Sequence, residues 1–312
     1  MLSRVAEALF WIGRYVERSE DTARLLDVLF HQILEDPAMD EIAGCRVVSA
    51  VMGIEETAAV SSTWLMEHLG YDRHNHSSIV GSLCSARQHA RSVREALSAE
   101  IWECLNTAYH ELPARVEAAR GFGPSPFFSY VRQRAAMIAG LAQSTMSRDD
   151  AYDFLILGRN LERVDMTARL LSARIYAPSP YEEWITTLRA CSAQEAYQRT
   201  YQRSVEGQSV LEFLLLDRLF PRSVIHALIV AEDALARLDP ASGRTGSADE
   251  ARLALGRART DLEFLPAEDL FDGLTARLQR LQATVSEASD AIGRRFFAEA
   301  AALDWSLGES RS

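Results

Sequence analysis

The sequence contains no lysine: all 33 of its Lys+Arg residues are arginine. Schiff-base chemistry, the lysine of a Walker A phosphate loop and a lysine general base are thereby excluded, since each needs a tunable amine or a compact ammonium charge. Glycine and proline are scarce, 16 and 9 in 312 residues, and the prolines fall mostly between apolar-periodic segments, as expected where helices dominate. The four cysteines, Cys45, Cys84, Cys104 and Cys191, form no CxxC pair and no Cys/His cluster at zinc spacing, so reduced, mostly buried thiols are expected and no metal site. Glu-x-x-His is absent, which removes the ligand pattern of di-iron bundles, as are Gly-x-Ser-x-Gly and His-Glu-x-x-His. No stretch reaches the roughly 18 uncharged apolar residues of a membrane span. Arg4, Glu7 and Arg14 interrupt the apolar N-terminus, unlike a signal peptide, and the cytoplasm is the expected compartment. A net charge of -11 argues against nucleic acid and anionic membranes as partners.

What is present is an apolar fraction of 48%, enough for a continuous core, and a repeat. Residues 13–26 read GRYVERSEDTARLL and residues 158–171 read GRNLERVDMTARLL, with nine of fourteen positions identical at an offset of 145. The same offset carries Leu69, Asp72, Arg73, Ser78 and Ala86 onto Leu214, Asp217, Arg218, Ser223 and Ala231. Two matches in one frame point to an all-α bundle of two tandem, diverged repeats related by a pseudo-twofold, 1–145 and 146–312, packed as one compact unit. Apolar periodicity predicts helices over 3–34, 41–52, 56–69 and 77–111 in the first half, with Ser3 as an N-cap and a break at Pro37. In the second half it predicts helices over 148–176, 181–207, 209–216, 221–238, 248–264 and 267–303, with Pro221 in a first turn. Gly-Phe-Gly-Pro-Ser-Pro at 121–126 reads as a loop and 240–249 as a flexible connector.

The first helix buries Val5, Ile12, Val16, Ala23, Leu26 and Phe30 on one face. Arg14, Glu17, Arg18, Asp21 and Arg24 crowd into an arc of about 120° on the other, at spacings that let opposite charges meet. Arg159, Glu162, Arg163 and Arg169 recur in frame, with Met166 in place of Asp21. Identical charges beside interchanging apolar neighbours favour a fixed, partly buried geometry. A structural Arg/Glu network between the halves, an anion- or carboxylate-binding site with Glu17 and Glu162 as acid/base groups, and a solvated face all remain open. Arg87, Arg91 and Arg94 form a second stripe, which faces either solvent or a ligand's carboxylates or phosphates. Asp72, Asp217 and Ser223 lie at turns ahead of helix starts, where they either cap or bind an anion. His74 and His76 have no counterparts in the second half and read as surface loop residues.

The opening Met-Leu-Ser-Arg-Val-Ala-Glu, Trp11 through Arg18, Ala86-Arg87 through Arg94, 102–106 and 213–224 together resemble the bacterial alpha-E family over nearly the whole chain. The last of these segments adds Arg222 to the candidate ligand-binding residues. The family's Glu-Asn after the first arginine of the stripe is replaced by Gln88-His89. The resemblance implies gene neighbourhoods shared with a circularly permuted ATP-grasp ligase and often a transglutaminase-like protein, and in some bacteria fusion to the ligase. It thus implies a subunit or partner in ATP-dependent amide or peptide-bond formation, with ATP and Mg held by the ligase and no cofactor on this chain. An enzyme of the same pathway acting on a carboxylate-bearing substrate, and a purely structural scaffold, are the alternatives. A homo-oligomer is left open.

Overall fold

A computed structural model describes residues 1–36, 40–54, 60–175, 182–240 and 249–297. The described residues form thirteen α-helices and no strand. They are α1 (Ser3–Glu35), α2 (Glu41–Val51), α3 (Ser62–Leu65), α4 (Ile79–Ser92), α5 (Ala99–Phe122), α6 (Ser125–Thr145), α7 (Asp150–Ile175), α8 (Glu182–Ala190), α9 (Gln194–Tyr201), α10 (Gly207–Leu216), α11 (Val224–Leu238), α12 (Glu250–Glu263) and α13 (Leu274–Ile292). No helix among them is long and apolar enough to cross a membrane.

Several boundaries depart from the periodic pattern, each for a local reason. Ser3 is the first helical residue of α1 and not its cap, which is Leu2. The helix expected over 77–111 is two: the chain leaves α4 at Val93, makes one 3-10 turn at Arg94–Ala96, and restarts where the Ser98 hydroxyl accepts from the Ile101 N–H. Val93 and Leu97 are buried, so core contacts pin the break. α5 then continues through Pro113, which only forfeits one backbone bond, to Phe122. The Gly/Pro run at 121–126 is not a long loop: Gly123, at φ +99°, and Pro124 alone separate α5 from α6. α6 itself was not anticipated, because alanine, glutamine and serine dilute its apolar stripe. Ser192 and Gln202, both at positive φ, split and end the helix expected over 181–207. Pro221 sits in the turn before α11, whose cap is Ser223. The break at Pro37, most of the 240–249 connector, the start of the helix expected at 56 and the end of the one expected to reach 303 lie outside the described residues.

α1 and α7 cross in direct backbone contact. A Cβ on Gly13 would lie 2.1 Å from the Leu155 carbonyl oxygen, and one on Gly158 would lie 2.0 Å from that of Phe10. Both the glycines and the carbonyls are 145 residues apart. The same offset links other contacts. Ser78 and Ser223 hydroxyls donate to the carbonyls of Asp72 and Asp217, each at 2.5 Å, and Thr22 and Thr167 hydroxyls reach the carbonyls of Ser77 and Arg222, each at 3.5 Å.

The buried apolar residues fall into two clusters. One gathers Val5 to Val16 of α1 with α7 and α10 to α13; the other gathers Ala23 to Leu29 of α1 with α2, α4 and the start of α6. α1 runs through both, and its polar segment from Glu17 to Thr22, buried except for the half-buried Arg18, lies between them. Replacing Gly13 or Gly158 with alanine forces the helices apart, and a loss of about 3 kcal/mol or more in unfolding free energy is expected by denaturant titration.

Candidate functional site

The polar segment owes its order to the close crossing. With α1 and α7 in backbone contact, side chains one turn beyond each glycine meet across the interface. Arg14 donates from Nε to Glu162 Oε2 at 2.7 Å, and Arg18 donates to both Glu162 oxygens, from Nε at 2.6 Å and Nη2 at 3.0 Å. In return Arg163 donates to both oxygens of Glu17, at 2.6 and 3.2 Å. Glu17 and Glu162 are each only 2% exposed. Burial alone would raise both carboxyls; the guanidinium pairs, Arg163 with Arg222 and Arg18 with Arg14, outweigh it and push both down to about 2. At neutral pH both are carboxylates with no proton to give.

The two ends of this network differ. Around Glu162 the second cation, Arg14, also donates to the Ser289 hydroxyl of α13 at 3.0 Å and lies over the Trp11 ring. Around Glu17 the second cation is Arg222, from the turn before α11, which stands 2.9 Å from Glu17, 2.7 Å from Glu20 and 2.7 Å from Asp21. Three carboxylates on one guanidinium exceed what it can neutralise, so burial, with Glu17 and Glu20 alongside, raises Asp21 to about 7 despite Arg222. Arg159 makes no comparable bridge: its Nε is buried without a hydrogen-bond partner.

The remaining candidates divide by environment. Arg24 and Arg169 pair within their own helices, with Glu20 and Asp165 four residues earlier. Arg87 donates to Asn106 Oδ1 at 3.2 and 3.1 Å and lies over Trp102 and Tyr109, while Arg94 lies over Trp102 from the other side of the break. Arg91 is exposed. The stripe is thus an arginine–aromatic surface, apart from the α1–α7 network. Asp72 accepts from the His74 N–H, Asp217 accepts from the N–H groups of Leu219 and Phe220, and Ser223 caps α11 by accepting from the His226 N–H. These three shape turns and a cap. His74 and His76 are exposed, and among the described residues no group of three or more His, Cys, Asp or Glu stands close enough to hold a metal.

Sequence reasoning missed Glu20, Asp165 and Ser289. The first two were legible, four residues before Arg24 and Arg169. Ser289 lies 275 residues from Arg14, and no local pattern announces it.

A family model described as Alpha-E, a predicted alpha-helical domain with a conserved ER motif, matches residues 1–297. The only Glu-Arg dipeptides in this chain are Glu17-Arg18 and Glu162-Arg163, the residues that exchange bridges between α1 and α7. Uncharacterized proteins of Mycobacterium bovis and Mycobacterium tuberculosis are 26% identical over 326 aligned positions, which cover 93% of this chain and 36% of each relative. The chain therefore spans about a third of the length of the curated relatives it matches. No solved structure matches it.

Removing the charge from Glu162 leaves the buried Arg14 and the half-buried Arg18 without their carboxylate. Glu162→Gln is expected to lower unfolding free energy by about 3–5 kcal/mol, read by chemical denaturation at pH 7. Because Glu162 is depressed from 4.5 to about 2, its stabilisation is complete above the unfolded value and is lost as pH falls from about 4.5 towards 2. Asp21, raised to about 7, acts oppositely: stability declines as pH rises from about 4 to about 7 and then levels. Wild-type stability should therefore fall on the acid side, and Glu162→Gln should flatten that limb.

Proposed function

This chain belongs to the Alpha-E family, and we propose that it serves as a non-catalytic helical partner of a circularly permuted ATP-grasp ligase, presenting or selecting the acceptor in ATP-dependent amide or peptide-bond formation. One observation carries the non-catalytic part. The two carboxylates placed to act as acid and base are buried, ionised and each held by two guanidiniums, so that proton transfer through them would break the helix interface.

The partner role is supported by the gene neighbourhoods and ligase fusions that the family resemblance implies. The greater length of the mycobacterial relatives agrees with a unit that works joined to, or beside, further protein. On this reading ATP and Mg belong to the ligase, a transglutaminase-like protein is a second partner, and the setting is the cytoplasm. We read the halves 1–145 and 146–312 as tandem copies, supported by the contacts that recur at an offset of 145 residues.

A circularly permuted ATP-grasp ligase of the same organism is expected to co-purify with this protein and to turn over faster in its presence. Equal ligase turnover without the chain would overturn the partner role. Glu17→Gln and Glu162→Gln are expected to reduce turnover only as far as they reduce the folded fraction. Turnover abolished in a variant that remains folded would instead establish the carboxylates as acid/base groups.

A further inference from the structure

The buried network is unbalanced at one end. Arg14, the residue 145 positions before Arg159, is satisfied by Glu162 and Ser289. The corresponding partners of Arg159 are Glu17 and Ser144, and neither bonds to it; Ser289 accepts from Arg14 while donating to the Val285 carbonyl, whereas Ser144 receives no guanidinium among the described residues. Glu17 is taken by Arg163 and Arg222. The Ser144 hydroxyl donates back to the Gly140 and Leu141 carbonyls of α6. Arg222 has in effect displaced Arg159 from the carboxylate that its position in the crossing would give it.

We propose that Arg159 is the anchor of an oxyanion-binding site beside the α1–α7 crossing, taking a carboxylate or phosphate group of a small ligand. Its Nε is enclosed and unbonded, whereas its terminal nitrogens, which also form no hydrogen bond among the described residues, are not enclosed. The residue as a whole is half-buried. A guanidinium so placed offers an incoming oxyanion the donors of its terminal nitrogens, with no hydrogen-bonded carboxylate to displace. Burial, and then the neighbouring Arg163, lower its affinity for its own proton, and the nearby Glu17, held by Arg163 and Arg222, opposes them only in part. An uncompensated, partly buried cation costs stability in the free protein. Binding an anion relieves that cost, and the two effects have opposite signs in one experiment. This inference does not depend on the ligase reading.

The test is thermal unfolding of the 312-residue chain at pH 7.5 in sodium phosphate, sodium acetate and sodium chloride at matched ionic strength. The wild-type midpoint should rise saturably by roughly 2 °C or more in at least one oxyanion over chloride. A response to phosphate alone marks a phosphate site and a response to acetate a carboxylate site. Arg159→Met, which keeps the apolar stem, should raise the midpoint in chloride and abolish the oxyanion increment, while Arg14→Met should lower the midpoint. Arg159→Gln provides the same comparison if the methionine variant does not fold. The proposal is overturned if no oxyanion-specific rise occurs, if the increment survives loss of the guanidinium, or if Arg159→Met lowers the midpoint as far as Arg14→Met does.

Discussion

The contact between the α1 and α7 backbones at Gly13 and Gly158 governs this structure. Helices normally stand 8–10 Å apart because side chains separate them. Here two missing side chains allow each backbone to touch a carbonyl of the other. At that separation guanidiniums on one helix reach both oxygens of a carboxylate on the other. The bridges run in both directions, Arg14 and Arg18 to Glu162 and Arg163 to Glu17. Sliding either helix breaks bridges on both sides at once. α4 and α6 are placed by packing on α1, and α11 and α13 by packing on α7, so the register of this one pair is transmitted to the bundle.

Buried ion pairs are a poor source of net stability, since desolvation offsets most of the attraction; their value is in rejecting wrong arrangements. The residues that stand 145 positions from this network fit that role. Asp21 and Arg222 touch, and the residues 145 positions away from each are Met166 and Ser77. Where one half has a cation facing an anion, the corresponding place has neither. At this place both charges are absent together, the arrangement that leaves no unpaired charge buried.

The repeated Gly-Arg and Glu-Arg positions were legible in the sequence because they obey one frame and one helical period. The all-helical character, the apolar face of α1 and the turn role of Ser223 followed from the same local rules. What escaped were features decided by tertiary contact. The split between α4 and α5 depends on Val93 and Leu97 being buried, which periodicity cannot distinguish from a continuing stripe. Likewise, the identity of the second cation on each carboxylate, Arg14 for Glu162 and Arg222 for Glu17, depends on which loop folds back over α1. The spacing of charges allowed bridges, with a binding site and a solvated face as alternatives; it held no information on which cation would be left over.

This changes how the repetition bears on function. Residues identical in the two halves first suggest shared chemistry, yet Gly13, Glu17, Arg18 and their counterparts are accounted for by the crossing itself, which needs the same atoms on both sides. Identity between the halves is then a signature of the interface. Chemistry specific to the protein belongs where matched positions meet unlike surroundings. Arg14 is closed by Ser289 and Glu162, while Arg159 is left open. Arg87 lies on aromatic rings, while the matching Glu232 pairs with Arg259. Tyr15 stacks near His89 with Arg18 over its ring, while the matching Asn160 bonds back into its own helix. A symmetric framework locks the helices, and the asymmetric residues around it are the ones free to recognise something else.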